Sequence, residues 1–170
     1  VYARNCRFES STQADVYLAA AAGNSVRRCV SHGSAQFIGA PARDPGTSNP
    51  TVIMDNRVDG WTSTAGAISY SLRGPVFAFD NAFSGGPAGA LPIQPIPPKD
   101  SNYTFWIIAN NLVDGKPAGD AALVKSQPNI QVYDLDAMVA PAGEPTVPPS
   151  PLTPATVFLK PEWPTPTQIF

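Results

Sequence analysis

The amino-acid sequence predicts an all-β fold, a parallel β-helix of about six coils. The first observation is an internal repeat, whose clearest copies read DNRVDG, DNAFSG and NNLVDG. The second is its spacing: the second residues of six copies, at positions 6, 29, 56, 81, 111 and 133, lie 22 to 30 residues apart, as one solenoid coil requires. The third is the content of 20 prolines and 13 glycines, which argues against long helices.

The columns of the aligned repeat have the chemistry that stacked coils need. The fourth column is mostly apolar and is predicted to point inward, and the sixth column is small throughout, as a tight turn demands. The six copies begin at Asn5, Arg28, Asp55, Asp80, Asn110 and, in degraded form, Val132. Each coil therefore contains a strand before the turn and a strand after it.

Apolar runs beyond most turns predict a further strand in most coils. These runs are Val16-Tyr17-Leu18, Phe37-Ile38, Ile68-Ser69-Tyr70 and Leu123-Val124, and their β-branched and aromatic residues favour strands. The segments Gly39–Pro50 and Gly85–Ser101 are rich in proline and glycine, so we interpret them as loops inserted between coils.

The second column predicts two kinds of contact between coils. Neighbouring coils stack about 4.8 Å apart, so Asn56, Asn81 and Asn111 are expected to form a hydrogen-bonded amide ladder. Cys6 and Cys29 occupy the same column one coil apart. Their separation lies within the range of a disulfide, and we predict one, with a pair of reduced thiols as the alternative.

The repeat resembles that of the right-handed parallel β-helix superfamily, the pectate-lyase-like fold. The run from Val76 to Gly85, VFAFDNAFSG, is typical of this superfamily, and the resemblance covers roughly residues 1–137. It implies a right-handed solenoid, but not one function, because the superfamily includes lyases, hydrolases, epimerases, phage spikes and adhesins. The alternative fold is an antiparallel β-sandwich.

The chain is expected to contain two regions, the β-helix domain at 1–140 and a Pro-rich extended tail at 141–170. Nine prolines stand between Pro141 and Pro166, and proline cannot continue a β ladder. The tail also contains apolar residues that a free linker would not need. We predict that five of them anchor it to this solenoid or to a neighbouring subunit: Phe158, Leu159, Trp163, Ile169 and Phe170.

Composition favours a secreted or cell-surface protein. Charged residues make up only 14% of the chain and the formal net charge is -2, which argues against a nucleic-acid partner because that would need a clustered basic surface. One sequon, Asn102-Tyr103-Thr104, predicts an N-linked glycan on Asn102. No stretch reaches the roughly 18 apolar residues of a membrane span.

The fifth column of the repeat is the best candidate for chemistry. Its members are Glu9, His32, Asp59, Ser84, Asp114 and Asp136. Stacked carboxylates could bind Ca²⁺ or form an acid/base pair, but polar residues before a turn glycine are also ordinary turn formers. We predict no catalytic residue, metal site or cofactor, and we leave open whether this column is functional.

Two classes of function follow. The first is an extracellular structural or adhesive module, a subunit of a fibre or surface assembly that binds neighbouring copies of itself. It is favoured because the catalytic motifs of known polysaccharide enzymes are missing and because the chain begins within a predicted strand, which would leave an open coil end. The second is a carbohydrate-active lyase, hydrolase or epimerase, or a glycan-binding module without catalysis.

Overall fold

The computed structural model describes residues 1–18, 23–39, 50–70, 75–96 and 104–138. All of them belong to the first of the two units into which the chain divides, Val1–Ala140. The described residues form a mostly β structure, in which three sheets of parallel strands wind into a β-solenoid of about four turns. The Pro-rich tail lies outside the described residues.

Successive strands along the chain belong to the first, second and third sheets in rotation. Each complete coil therefore adds one strand to each sheet. The first sheet has the order β1-β4-β7-β10-β13-β16. Its strands are Tyr2–Arg4 (β1), Asn24–Arg27 (β4), Thr51–Met54 (β7), Val76–Phe79 (β10), Thr104–Ala109 (β13) and Ile130–Asp134 (β16).

The second and third sheets complete each coil. The second sheet contains Arg7–Glu9 (β2), Val30–His32 (β5), Arg57–Asp59 (β8), Ala82–Ser84 (β11), Leu112–Val113 (β14) and Lys116–Pro117 (β15). The third contains Ala14–Tyr17 (β3), Gln36–Gly39 (β6), Ile68–Tyr70 (β9) and Ile93–Pro95 (β12). All pairs are parallel except β14 with β15, so the sandwich alternative is wrong.

Residues in the left-handed backbone region turn the chain from sheet to sheet. The first column of the repeat, between the first and second sheets, holds Asn5, Arg28, Asp55, Asp80 and Asn110, all with φ between 52° and 56°. The sixth column repeats this geometry beyond the second sheet, at Ser10, Gly33, Gly60, Gly85 and Gly115. Asn, Asp and Gly adopt this region most readily, which explains why the recurring motifs begin with Asp or Asn and end with Gly.

The prediction of about six coils is wrong, because the third sheet has only four strands. In the fifth coil the chain turns back through β15 into the short helix Asp120–Leu123 (α1), and Val124 adds a single bridge to Ile93. The sixth copy is out of register. Tyr133 pairs with Ile107 in the first sheet instead of following Asn111, and the chain then enters the helix Leu135–Met138 (α2).

The segment Gly85–Ser101 is not a simple loop, because it contains β12 at Ile93–Pro95. Prolines on both sides concealed this strand in the sequence. Ile93 is fully buried and pairs with Ile68 of β9, so the strand belongs to the third sheet. Most of the other predicted insertion, Gly39–Pro50, lies outside the described residues, and Gly39 itself ends β6.

Candidate interaction surface

Among the described residues, the outward face of the first sheet is the candidate interaction surface, because many of its side chains are apolar. Because side chains alternate across a strand, the residues beside the buried Val26, Ile53 and Ala78 point away from the core. The strand register stacks them into two outward columns. One is Tyr2, Ser25, Val52, Phe77, Ile107 and Tyr133, and the other is Arg4, Arg27, Met54, Phe79 and Ala109.

Much of this face is apolar where a solvated sheet would be polar. We define the apolar band as Val52, Met54, Phe77, Phe79, Phe105, Ile107 and Tyr133, which are half-buried or exposed. Two aromatic pairs lie along it: the ring centroids of Phe77 and Phe79 are 6.0 Å apart, and those of Phe105 and Tyr133 are 6.1 Å apart and stacked. A sheet face in water normally carries polar side chains, and a contiguous exposed apolar patch marks a binding surface.

At the end of the apolar band nearest the N terminus, the same face becomes cationic. Arg4 and Arg27 are direct register partners on β1 and β4. They help to line a groove of ≈ 780 Å³, the arginine groove, together with Arg28, Met54 and the carboxylates of Asp55 and Asp80. Arg28 pairs with Asp55 at 3.3 Å, whereas Arg4 and Arg27 have no ion-pair partner among the residues described here.

The three ladder asparagines lie inside the solenoid, each 1% exposed. Asn56 donates from Nδ2 to Oδ1 of Asn81 at 2.9 Å, and Asn81 donates likewise to Asn111 at 3.0 Å. The backbone N–H groups of Cys29, Asn56 and Asn81 also donate to the Oδ1 atom one coil further on. The second Nδ2 hydrogen goes to a backbone carbonyl, at Val26, Ile53 or Ala78. The ladder side chains therefore bond to one another and to the backbone of neighbouring coils.

Cys6 and Cys29 precede the ladder in its column. Both are free thiols in the structure, and each Sγ donates to the carbonyl two residues earlier, at Arg4 and Arg27. Burial raises the pKa of the Cys29 thiol. The predicted disulfide is not formed in this structure, and its formation on oxidation stays a prediction.

The fifth column of the repeat forms a hydrogen-bonded array on the outer face of the second sheet. Asp59 accepts from Ser84 Oγ at 2.7 Å and lies 2.9 Å from Nδ1 of His32. The hydrogen bond from Ser84 and the neighbouring His32 lower the pKa of Asp59. Because the carboxylate lies between the other two groups, the histidine is not placed to activate the serine, as nucleophilic catalysis would need.

Two acids of this column have other roles. Asp114 accepts from the N–H of Gly85 in the preceding coil at 3.3 Å, so it joins two coils. The placement of Asp136 in the column is wrong, since it follows β16 of the first sheet and accepts from the N–H of Asn110 at 2.7 Å. No group of three or more His, Cys, Asp or Glu side chains in the described part of the chain could hold a metal ion.

Several sequence-based site predictions lie elsewhere or cannot be placed. Trp61, which follows the turn residue Gly60, is only 4% exposed and packs edge-on against Phe83, so it offers no platform for a sugar ring. Trp106 is fully buried. The glycosylation site Asn102 lies outside the described residues, as do the tail anchors Phe158, Leu159, Trp163, Ile169 and Phe170.

Two features were not predicted from the sequence. Asp15 turns inward and accepts from Oγ of the buried Ser31 at 2.5 Å and of the buried Ser34 at 2.7 Å. The arginine groove is the second. The repeat alignment carried a signal for it, because Arg4 and Arg27 both stand two positions before the second column.

Comparison with known proteins does not assign this chain to a family. No protein-family model, curated protein or solved structure matches it. Both helices within the described ranges have four residues, and neither is long and apolar enough to cross a membrane.

Proposed function

We propose that this protein is an extracellular structural module, a β-solenoid building block that associates with copies of itself through its first sheet. The apolar band carries this proposal. Fully burying a side chain the size of Phe or Met stabilises by about 1.5–3 kcal/mol, so covering several half-buried members of the band would favour association. A second copy of the chain carries the same apolar band and can cover it, and most soluble oligomers are assemblies of identical chains.

The use of polar groups inside the solenoid supports a scaffolding role. The side chains of Asn56, Asn81 and Asn111 bond to one another and to backbone groups of neighbouring coils. Asp15 is engaged by two serines. These buried groups therefore join coil to coil, which is what a rigid extended element requires.

Composition supports the extracellular setting of the proposal. Only 14% of residues are charged, against roughly 25% in an average soluble protein. The sequon at Asn102 would be glycosylated in the secretory pathway. Detection of a glycan at Asn102 on protein from its native source would support this setting, and an intracellular location would contradict it.

Sedimentation velocity of the full chain over a range of concentrations, with electron microscopy of native material, tests self-association. The variant Phe77→Glu places a charge in the middle of the apolar band without touching the core. We expect it to raise the dissociation constant at least about tenfold, since losing one buried aromatic costs about 1.4 kcal/mol or more. The matched control is Val30→Glu, which changes an exposed apolar residue of the second sheet and should associate like wild type.

Two results would overturn the proposal. One is a wild-type chain that stays monomeric at every concentration and in native material. The other is a Phe77→Glu variant that is folded and still associates with wild-type affinity. Circular dichroism of each variant separates a loss of association from a loss of fold.

A carbohydrate-active enzyme is the second candidate, and one observation favours it. Asp59 is an exposed carboxylate with a lowered pKa beside His32, and a right-handed solenoid of the pectate-lyase-like superfamily would suit such a role. Turnover of uronic-acid polymers, with Ca²⁺ and with chelator, tests it. Activity that Asp59→Ala abolishes would establish this candidate, and no turnover would eliminate it for these substrates.

A further inference from the structure

We infer that the arginine groove of one copy binds the acidic corner at the opposite end of the solenoid in a second copy. We define the acidic corner as Asp134, Leu135, Asp136 and Met138, around α2. This inference rests on the proposed self-association and adds its direction. Copies would join head to tail with a stagger, so that the corner of one copy lies on the outward face of the first sheet of the next, a heterologous contact that leaves both ends of each assembly open to further copies.

The two ends of the described solenoid carry opposite charge. Residues 1–18 and 23–39 contain four arginines against two acidic residues. Residues 104–138 contain four aspartates against two lysines. The order of the first sheet, from β1 to β16, places these two groups at opposite ends of the axis. Such an arrangement attracts unlike ends and repels like ends.

Arg4 and Arg27 in the arginine groove are placed to bind a carboxylate. Arg4 and Arg27 are neighbours in parallel register, so their backbones lie about 4.8 Å apart and their like charges repel. Neither has an acidic partner within the described residues. A carboxylate placed between them would relieve this repulsion and could be bound by the planar guanidinium groups in bidentate fashion.

The acidic corner contains carboxylates with apolar side chains beside them. Asp136 accepts one hydrogen bond, from the N–H of Asn110, and an ionised carboxylate has about four acceptor positions. Leu135 is 36% exposed and Met138 is 63% exposed. No described cation forms an ion pair with Asp134 or Asp136.

The groove matches this mixed chemistry better than a purely anionic polymer would. Met54 and Val52 line it together with three arginines and two aspartates, Asp55 and Asp80. Asp55 pairs with Arg28, and Tyr2 is 85% exposed. An acidic segment with neighbouring apolar residues satisfies both parts of this lining. The acidic corner of a second copy is such a segment.

Charge exchange between the two ends tests the contact in the full chain by sedimentation velocity. Arg27→Glu and Asp136→Lys should each raise the dissociation constant tenfold or more, and the double variant should recover association because the charges are exchanged. Asp136→Asn removes the charge while keeping an acceptor for Asn110, so it should also weaken association. The control Arg57→Glu alters an exposed arginine of the second sheet and should leave association unchanged.

Mixing provides a sharper readout. Equal amounts of Arg27→Glu and Asp136→Asn should form dimers and no longer species, because one intact groove and one intact corner can meet while the altered groove and the altered corner carry no opposite charges. Raising salt from about 0.05 M to about 0.5 M should weaken the wild-type contact, since exposed charges are screened.

Three results would overturn the inference. If Phe77→Glu dissociates the assembly while Arg27→Glu does not, the proposed function stands and this contact is wrong. If wild type never associates, both fail. If Arg27→Glu loses binding to a sulfated or uronic-acid polymer while Asp136→Lys associates normally, the groove binds an anionic glycan instead.

Discussion

Replacement of Asn81 by alanine tests whether the amide ladder holds the coils together. Asn81 Oδ1 accepts from the backbone N–H of Asn56 at 3.2 Å and from its Nδ2 at 2.9 Å. Asn81 Nδ2 donates to the Ile53 carbonyl and to Oδ1 of Asn111, both at 3.0 Å. The variant therefore loses four side-chain hydrogen bonds at a position that is 1% exposed.

The magnitude follows from the groups left behind. Asn81→Ala orphans two buried donors of Asn56 and the carbonyl of Ile53, while Oδ1 of Asn111 keeps its bond from the Asn81 backbone. Each buried polar group left unsatisfied costs about 1–3 kcal/mol. With partial relaxation, we expect the free energy of unfolding to fall by about 3–6 kcal/mol. For a chain of this length, at about 2–4 °C per kcal/mol, that corresponds to a drop in Tm of about 6–24 °C.

Denaturation by guanidinium chloride, followed by circular dichroism on the full chain, measures this loss. The control is Gln131→Ala, which removes an exposed amide of the first sheet and should change the free energy of unfolding by less than about 0.5 kcal/mol. A loss below about 1 kcal/mol for Asn81→Ala would refute the reasoning, because water or rearranged neighbours would then be replacing the ladder.

Two further predictions concern the second sheet and the turn that follows it. A Cβ added at Gly86 would lie 1.9 Å from Cζ2 of Trp61, so Gly86→Ala should lower the free energy of unfolding by about 3 kcal/mol and shift the tryptophan fluorescence. Adding Trp61→Phe should recover part of this loss, and a Gly86→Ala protein as stable as wild type would contradict the packing. Ser84→Ala should raise the pKa of Asp59 towards its ordinary 3.8, because it removes the main cause of the lowered value. The small stability that the ionised Asp59 contributes is present above its unfolded-state pKa and lost as pH falls through its folded-state pKa. An unchanged Asp59 titration by NMR in Ser84→Ala would contradict this.

The solenoid and its stacked turns could be predicted because each coil uses the same turn. Left-handed backbone positions favour Asp, Asn and Gly, so motifs such as DNRVDG recur at the turns on either side of the second sheet. The asparagine column was equally visible, since a ladder needs the same residue in each coil. The number of turns was not predictable, because the fifth coil turns back through β15 into α1 and the sixth copy resembles the repeat without its register.

The burial of individual aromatic residues depended on contacts between coils. Trp61 follows a turn glycine and its surroundings in sequence suggest exposure. It is buried because Gly86, one coil later, leaves room for the indole. No local pattern contains that information.

By itself, the sequence determined the coil period, the parallel solenoid and the chemistry of its repeating columns, because those features are properties of each coil taken singly. Only the tertiary structure decided which side chains meet on the outward faces of the sheets. It paired Arg4 with Arg27 on the outer face, assembled the apolar band from the four strands β7, β10, β13 and β16, and placed Asp136 beyond the end of the first sheet instead of in the acidic column. The physical reason is that these surfaces are made by stacking, and the register of stacked strands is fixed by side chains that lie more than twenty residues apart.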